Sequence, residues 1–332
     1  MVEPLDYSRL IMALEMIKGV GPKTARQILA RIPAARLAQA GWIPGCRVAA
    51  VRKQYLAGKL DPQQWLDIQQ DAADLLTKTV ENGAQVINYQ EDAYPQNMRR
   101  LVNFPLLLYV KGDIAVLNTP SVGFIGTRRP TDLGVKMSRR MAQKFATDGY
   151  TVVSGLSIGT NTAAHRGALD VPDGKTVAIL GESLEQPVYP PENEPLADEI
   201  IARGGALVSS FRYGTAARRQ FLAARDEWES GMSDGLVVVE TDQNGKTEMA
   251  LQHAFKQHRP VAMLDHSQCP QIDDVTKIPE ALGNQEFIKA DRAMPLWQED
   301  SLEVFERRMA NARRRRLAER PATPQSRQMH LF

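Results

Sequence analysis

The sequence has 332 residues, 43% of them hydrophobic, which is enough chain for two or three domains with buried cores. Its formal net charge of +2 indicates no particular partner, and its two cysteines, Cys46 and Cys269, exclude a disulfide scaffold and lack metal-ligand spacing. No apolar stretch approaches the roughly 20 residues that span a bilayer, and residues 1–6 lack the features of a signal peptide. We therefore expect a cytoplasmic protein with no membrane partner, no metal and no cofactor.

Residues 7 to about 83 show helical periodicity and little strand character, which predicts a helical domain over 1–83. Between two predicted helices lies IKGVGPKTA (17–25), which has the form of a helix-hairpin-helix. In that motif a Gly-x-Gly turn presents backbone N–H groups to a DNA phosphate and a lysine adds charge. The contacts would be Gly19, Gly21 and Lys23. The alternative is a tight turn whose glycines serve only the bend.

From residue 84 to about 300 the pattern changes to alternating strands and helices, which predicts a Rossmann-like α/β domain. Two strands, near 84–89 and 106–112, come before the alternation. The predicted strands that follow span 122–126, 151–154, 175–180, 205–209, 235–240 and 259–264, and the helices span 132–148, 160–169, 193–203, 217–230 and 246–257. This order predicts a mostly parallel sheet covered on both faces, with ligands at the carboxyl ends of its strands.

Two glycine-rich turns follow strands of this region and are typical of anion-binding sites. A predicted helix follows each turn, and the start of a helix offers unpaired backbone N–H groups and the positive end of the helix dipole. Because the first turn carries two arginines, the expected ligand is a phosphate, of a nucleotide or of a nucleic-acid backbone. The glycine spacing does not fit the dinucleotide fingerprint, which disfavours NAD chemistry. The candidate residues are Gly126, Thr127, Arg128, Arg129, Ser154 and Gly155.

No set of catalytic residues is evident in the sequence. His165 has no serine or cysteine nucleophile beside it, and a lone helical histidine usually packs or forms hydrogen bonds. The glutamates between 182 and 194 lie around proline turns rather than as a pair across a cleft. We therefore predict a protein that is not an enzyme, with hydrolysis left open.

Five ordered sequence blocks resemble the DprA/Smf family of DNA-processing proteins. They are GTRRPT at 126–131, SGL at 154–156 with AAHRGAL at 163–169, TVAILG at 176–181, YPPEN at 189–193, and VVVE at 237–240 with GKT at 245–247. The resemblance covers about residues 8–265. It implies a single-stranded DNA-binding protein, usually a homodimer, that helps to load the RecA recombinase. It also implies that Arg128 holds phosphate, with Lys175, Arg225 and Lys246 as further candidates around the facing pocket.

The sequence departs from the family pattern at two places in this pocket. Where the family usually has ARGID after its SGL, this chain has SIGTN at 157–161, and the usual RNR segment is RDE at 225–227. These changes predict a divergent member with an altered ligand, DNA affinity or partner. Two alternatives stay open: an antitoxin that restrains a toxin in a phage-defence pair, and a nucleotide-binding or phosphoribohydrolase-type enzyme on the same scaffold.

Residues 301–332 form the third predicted region. An amphipathic helix over 302–309 runs into four arginines at 313–316 and then a tail that should be disordered when unbound. The arginines are either a solvated basic segment or a contact to DNA, single-stranded or duplex. The last residues, QMHLF, resemble the peptide that docks on the bacterial sliding clamp, with contacts from Gln328, Leu331 and Phe332. A chance match, or a tail that packs on its own domain, is the alternative.

Overall fold

A computed structural model describes residues 4–215, 227–243 and 247–318. The chain begins with helices, as predicted for its first region. They are α1 (Pro4–Met16), α2 (Pro22–Arg31), α3 (Ala34–Leu37), α4 (Ala49–Leu56) and α5 (Pro62–Glu81). The longest of these, α5, begins at a capping box, in which Asp61 accepts a hydrogen bond from the backbone of Gln64 while the Gln64 side chain accepts one from Asp61 N. This exchange satisfies two backbone donors at the start of the helix.

The rest of the described chain contains a nine-stranded sheet and the helices that cover it. Its strands are β1 (Gln85–Asn88), β2 (Leu107–Gly112), β3 (Ser121–Ile125), β4 (Thr151–Gly155), β5 (Thr176–Ile179), β6 (Ala206–Ser209), β7 (Gly235–Val238), β8 (Val261–Leu264) and β9 (Met294–Leu296). They lie in the order β1-β2-β6-β5-β4-β3-β7-β8-β9. Strand β2 runs antiparallel to both neighbours, and every pair from β6 to β9 across the sheet is parallel. The predicted Rossmann-like, mostly parallel sheet is confirmed.

Helices cover both faces of the sheet. They are α6 (Asp132–Thr147), α7 (Thr160–Leu169), α8 (Glu194–Ala202), α9 (described over 227–232), α10 (Thr247–Lys256), α11 (Pro279–Lys289) and α12 (Glu299–Ala318). Alternate residues of β7 divide between the two faces, since Val237 packs with α6 and α12 while Leu236 and Val238 pack with α10. Among the described residues, no helix is long and apolar enough to cross a membrane.

The N-terminal helices share a core with the antiparallel edge of the sheet. One cluster of buried side chains runs from Leu10 of α1 to Met232. Polar contacts join the same elements, since the hydroxyls of Tyr7 and Tyr89 lie 3.1 Å apart. The guanidinium of Arg26 in α2 also lies 4.8 Å from the centre of the Phe104 ring. The helical region is therefore packed on the sheet rather than tethered to it.

The helix predicted over 302–309 is longer in the structure than the sequence pattern indicated. Helix α12 continues through all four arginines to Ala318, and its residues Phe305 and Met309 are fully buried. Close packing explains the fit, because a side chain at Gly235 would lie 2.6 Å from Met309 Cγ. Residues 319–332, including Gln328, Leu331 and Phe332, lie outside the described residues.

Arg313 and Arg316 are held by a buried carboxylate, that of Asp234. Asp234 Oδ2 accepts from Arg313 Nη1 at 3.0 Å, and Asp234 Oδ1 accepts from Arg316 Nη2 at 2.6 Å. The carboxylate also accepts from Asn97 Nδ2 at 2.9 Å and from Ser121 N at 3.0 Å. Because Asp234 precedes β7 and Ser121 begins β3, this cluster anchors α12 at the amino edge of the parallel strands. Two of the four arginines at 313–316 therefore have a structural role.

Candidate functional site

The turn after β3, residues 126–131, lies where the strand order of the sheet reverses. Strands β4, β5 and β6 continue to one side of β3, and β7, β8 and β9 lie on the other. In open parallel sheets such a switch point, at the carboxyl ends of the strands, is where ligands bind. We call residues 126–131 the switch-point turn.

Backbone hydrogen bonds fix the switch-point turn to both neighbouring strand ends. Thr127 N donates to Glu240 O, beyond β7, at 2.9 Å. Thr127 O accepts from the backbone N of Thr160, at the start of α7, at 3.3 Å and from Thr160 Oγ1 at 3.0 Å. The turn therefore holds one position relative to the sheet edge, which suits a binding site.

Arg128 and Arg129 project from this turn into solvent. Both residues are exposed, and the backbone N–H of Arg129 donates to Thr127 Oγ1 at 3.2 Å. Within the described parts of the chain, neither guanidinium has an ion-pair or hydrogen-bond partner. Two adjacent positive charges on a fixed turn are therefore available to a ligand, and each arginine can bind a phosphate through two parallel hydrogen bonds.

The start of α6 differs from the expected open anion site, because a protein carboxylate occupies it. The fully buried Glu240 accepts from Thr131 N at 2.8 Å and from Thr131 Oγ1 at 2.6 Å. Thr131 Oγ1 in turn accepts from Gly134 N at 3.0 Å, which caps the helix. His266 Nε2 lies 2.8 Å from Glu240 Oε1 on the other side. Two backbone N–H groups at the start of α6, those of Thr131 and Gly134, are therefore already bonded within the protein.

Glu240 and Thr131 are site residues that the sequence-based prediction did not single out. The sequence contains a feature that indicates each of them. Glu240 ends an apolar run at the predicted ligand edge, and Thr131 precedes a predicted helix as a typical N-cap residue. No local sequence pattern indicates the role of His266, because its contact with Glu240 joins segments that follow two different strands.

The second predicted turn, at Ser154 and Gly155, is buried below the surface of the carboxyl edge of the sheet. Ser154 is fully buried and its hydroxyl donates to Phe124 O at 2.6 Å, while the carbonyl of the buried Gly155 lies 2.8 Å from His165 Nε2. His165 is also fully buried, and burial lowers its pKa to about 4. Ser154 and Gly155 are therefore held within the sheet, and the structure does not bring them together with the exposed Arg128 and Arg129.

The glycines of the two turns serve close packing between the turns. A side chain at Gly126 would lie 2.5 Å from Thr160 Oγ1. Gly159 has a φ of +83°, and a side chain there would lie 2.7 Å from the carbonyl oxygen of Arg128. These glycines let the turns approach each other, which positions Arg128, rather than letting a ligand approach the backbone.

The structure does not bring Lys175 together with the switch-point turn. Lys175 directly precedes β5, and the residue before a parallel strand lies at the amino edge of the sheet, opposite the switch-point turn. Its ammonium donates to Arg203 O, just after α8, at 2.9 Å. Arg225 and Lys246, the other two basic candidates, lie outside the described residues.

The predicted hairpin forms a second exposed turn, between α1 and α2. Gly19 has a φ of +89°, which favours glycine, and Gly21 precedes α2 with no side-chain cap. A side chain at Gly21 would have no atom within 4 Å, and Lys23 is exposed. Helix α4 supports the turn, since Gln54 Nε2 donates to Lys18 O at 3.2 Å. Unlike Gly126 of the switch-point turn, Gly21 therefore presents its backbone to solvent.

Comparison with known proteins gives a family match over most of the sheet region. A family model described as DNA recombination-mediator protein A matches residues 85–305. Protein Smf of Synechocystis sp. is 28% identical over 269 residues, which make up 77% of this chain and 64% of that protein. The chain thus spans less than two thirds of the length of this relative.

Two solved structures resemble this fold. DNA processing protein A (DprA) from Streptococcus pneumoniae aligns with a TM-score of 0.68 and 22% identity, over 91% of this chain and 98% of that one. DNA processing protein A from Helicobacter pylori, described as having a unique single-stranded DNA binding mode, aligns with a TM-score of 0.58 and 23% identity. That alignment covers 68% of this chain and 96% of the other. At these identities the likeness shows the fold alone.

Proposed function

This chain belongs to the DNA recombination-mediator protein A family, the DprA/Smf proteins, and from this premise we propose that it binds single-stranded DNA in DNA processing and recombination. The observation that carries the proposal is the switch-point turn, where Arg128 and Arg129 are exposed at the ligand edge and have no partner among the described residues. The description of the Helicobacter pylori relative as a single-stranded DNA binder supports the same ligand.

Binding at this turn would use the DNA backbone. Guanidinium groups contact phosphates whatever the base, so affinity should be similar for different sequences and should fall as salt rises. Of the described titratable groups near the arginines, the Glu240 carboxylate is hydrogen-bonded to Thr131 and His266, and the His165 ring is buried, so neither is free to act as a nucleophile or general base. We therefore propose a binding protein without catalysis at this edge.

A nucleotide-binding enzyme on the same scaffold is the competing interpretation, and one comparison separates the two. Isothermal titration of the full chain with a single-stranded oligonucleotide and, separately, with a panel of mononucleotides measures both affinities under one condition. The proposal expects the oligonucleotide to bind and the mononucleotides to bind far more weakly, because one phosphate cannot use several contacts. Tighter binding of any mononucleotide would favour the enzyme.

We also propose that the hairpin adds contacts to duplex DNA, and this gives a prediction. Gly21→Val should weaken duplex binding several-fold, because a branched side chain would occupy the open space above the exposed backbone. Binding of single strands and the melting temperature should stay within error of the parent. Gel-shift titrations with a duplex and with one of its strands provide the measurement.

The matched control for this change is Gly41→Val. Gly41 is also exposed in the helical region and a side chain there would also have no atom within 4 Å, but it lies outside the hairpin turn. It should leave duplex binding unchanged. If Gly21→Val and Gly41→Val bind duplex equally well, the hairpin serves only to connect α1 and α2.

Docking of the C-terminal peptide on the sliding clamp remains a proposal about residues outside the described ranges. A synthetic peptide of residues 319–332 should bind purified bacterial clamp, with Leu331 and Phe332 buried in an apolar pocket. Replacing both with alanine should cost several kcal/mol, since burying each is worth roughly 1.5–3 kcal/mol. Surface plasmon resonance on immobilised clamp measures the pair. Equal binding by the two peptides would show that the motif is a chance match.

A further inference from the structure

Tyr189 presents an aromatic ring at the same edge of the sheet as the switch-point turn. Tyr189 lies in the segment between β5 and α8. Although its side chain is large and aromatic, 56% of the residue is exposed to solvent. The backbone N–H of Tyr189 donates to Glu182 Oε1 at 3.4 Å. Its ring stacks on no other aromatic ring and its hydroxyl forms no hydrogen bond within the described residues. More than half of this residue is therefore open to a ligand.

Hydrogen bonds and close backbone packing connect the Tyr189 segment to the turn that carries the arginines. Asn193, four residues after Tyr189, donates from Nδ2 to Leu156 O, just beyond β4, at 3.0 Å. Gly159 and Thr160, a few residues further on, pack against the backbone of Arg128 and Thr127 as described above. The segments that follow β5, β4 and β3 thus form one surface along the carboxyl edge.

The distance along this surface fits a nucleic-acid strand. Strands β5 and β3 are separated by β4 alone, which places their ends about 10 Å apart at the usual strand spacing. Between them lies Ile158, 45% exposed, in the segment after β4. The arginines therefore lie at one end of the surface and the Tyr189 ring towards the other, with Ile158 between them.

We propose that Tyr189 stacks on an unpaired base of the strand whose backbone Arg128 and Arg129 hold, with Ile158 contacting the adjacent sugar or base. The inference rests on the proposed function. Every base has a flat π face, so stacking on an exposed tyrosine ring tolerates any sequence. It also requires that the base be unpaired, because a base within a duplex is covered by its neighbours. Tyr189 would thus supply the preference for single strands that the arginines alone do not.

An oligonucleotide that lacks bases separates this contact from the phosphate contacts. The probes are a fluorescein-labelled oligothymidylate and an abasic strand of the same length, each titrated with the full chain by fluorescence anisotropy. Tyr189→Ala should weaken oligothymidylate binding about tenfold or more and leave binding of the abasic strand unchanged. Tyr189→Phe, which keeps the ring, should bind both probes like the parent. Val102→Ala, at another exposed apolar residue, is the control for a general surface effect.

The outcomes distinguish failure of this inference from failure of the proposed function. If the parent binds oligothymidylate and Tyr189→Ala binds it equally well, at the melting temperature of the parent, the ring has no part in binding and the inference is overturned. An equal loss of affinity for both probes would also overturn the inference, because a stacking contact cannot form with a strand that lacks bases. If the parent binds neither probe, the proposed function itself fails.

Discussion

Asp234→Ala is expected to lower the free energy of unfolding by about 3–5 kcal/mol, the largest stability effect of any single change considered for this chain. The Asp234 side chain is 1% exposed and pairs with Arg313 and Arg316, whose side chains are 23% and 12% exposed. Removing the carboxylate would leave both guanidinium groups near one another without a counter-charge.

A third arginine adds to this cost. Arg259 is buried beside the cluster, where burial and the charge of Arg316 lower its pKa to about 9 while Asp234 opposes the shift. Without Asp234, the positive charges of Arg259, Arg313 and Arg316 would repel one another in a region of low dielectric. We expect α12 to detach from the amino edge of the sheet before the sheet itself unfolds.

Urea unfolding followed by circular dichroism measures the loss, and Asp170→Ala is the matched control. Asp170 also pairs with an arginine, Arg139, but their side chains are 30% and 55% exposed. Exposed pairs of this kind contribute about 0–1 kcal/mol, so the control should unfold close to the parent. Equal midpoints for Asp234→Ala and Asp170→Ala would show that the Asp234 cluster does not anchor α12.

The double change Arg128→Ala and Arg129→Ala is expected to weaken binding of single-stranded DNA by about 3 kcal/mol, roughly a hundredfold. Each guanidinium would lose a charge-assisted contact to phosphate, worth about 1.5 kcal/mol at the low end that suits an exposed site. Folding should be unaffected, because both side chains are exposed and the turn is held by the backbone of Thr127. Anisotropy titration of a labelled oligothymidylate at one low salt concentration gives the two dissociation constants.

The position of the site was predictable because the pattern of apolar runs is strong in this part of the chain. The helix predicted over 160–169 is the observed α7, and the strand predicted over 122–126 lies within one residue of β3. Because ligands of a mostly parallel sheet bind at the carboxyl ends of its strands, the turn after this strand follows as a candidate ligand site. The short β9 and the helix α11 were missed, since a three-residue, partly exposed strand carries little periodicity.

The roles of individual charged residues were harder to predict because they depend on partners that are distant in the sequence. Arg313 and Arg316 pair with Asp234 across 79 and 82 residues, and no local pattern indicates that pairing. Lys175 is different, because it is the first residue of the strand predicted over 175–180, and the first residue of a parallel strand lies at the amino edge of the sheet. Ser154 looked available beside a glycine, yet its hydroxyl bonds to the neighbouring strand.

The salt dependence of single-stranded DNA binding tests most directly whether the switch-point turn holds the DNA backbone. The experiment measures dissociation constants across a range of salt concentrations for the parent and the Arg128→Ala/Arg129→Ala variant. The control is Arg307→Ala/Arg308→Ala, which removes two adjacent exposed arginines of α12. On a single strand each phosphate contact contributes about 0.7 to the slope of log K against log salt, so the Arg128/Arg129 variant should lose about 1.4 from the parental slope and the control should lose none. A slope equal to that of the parent in the Arg128/Arg129 variant would contradict phosphate binding at this turn.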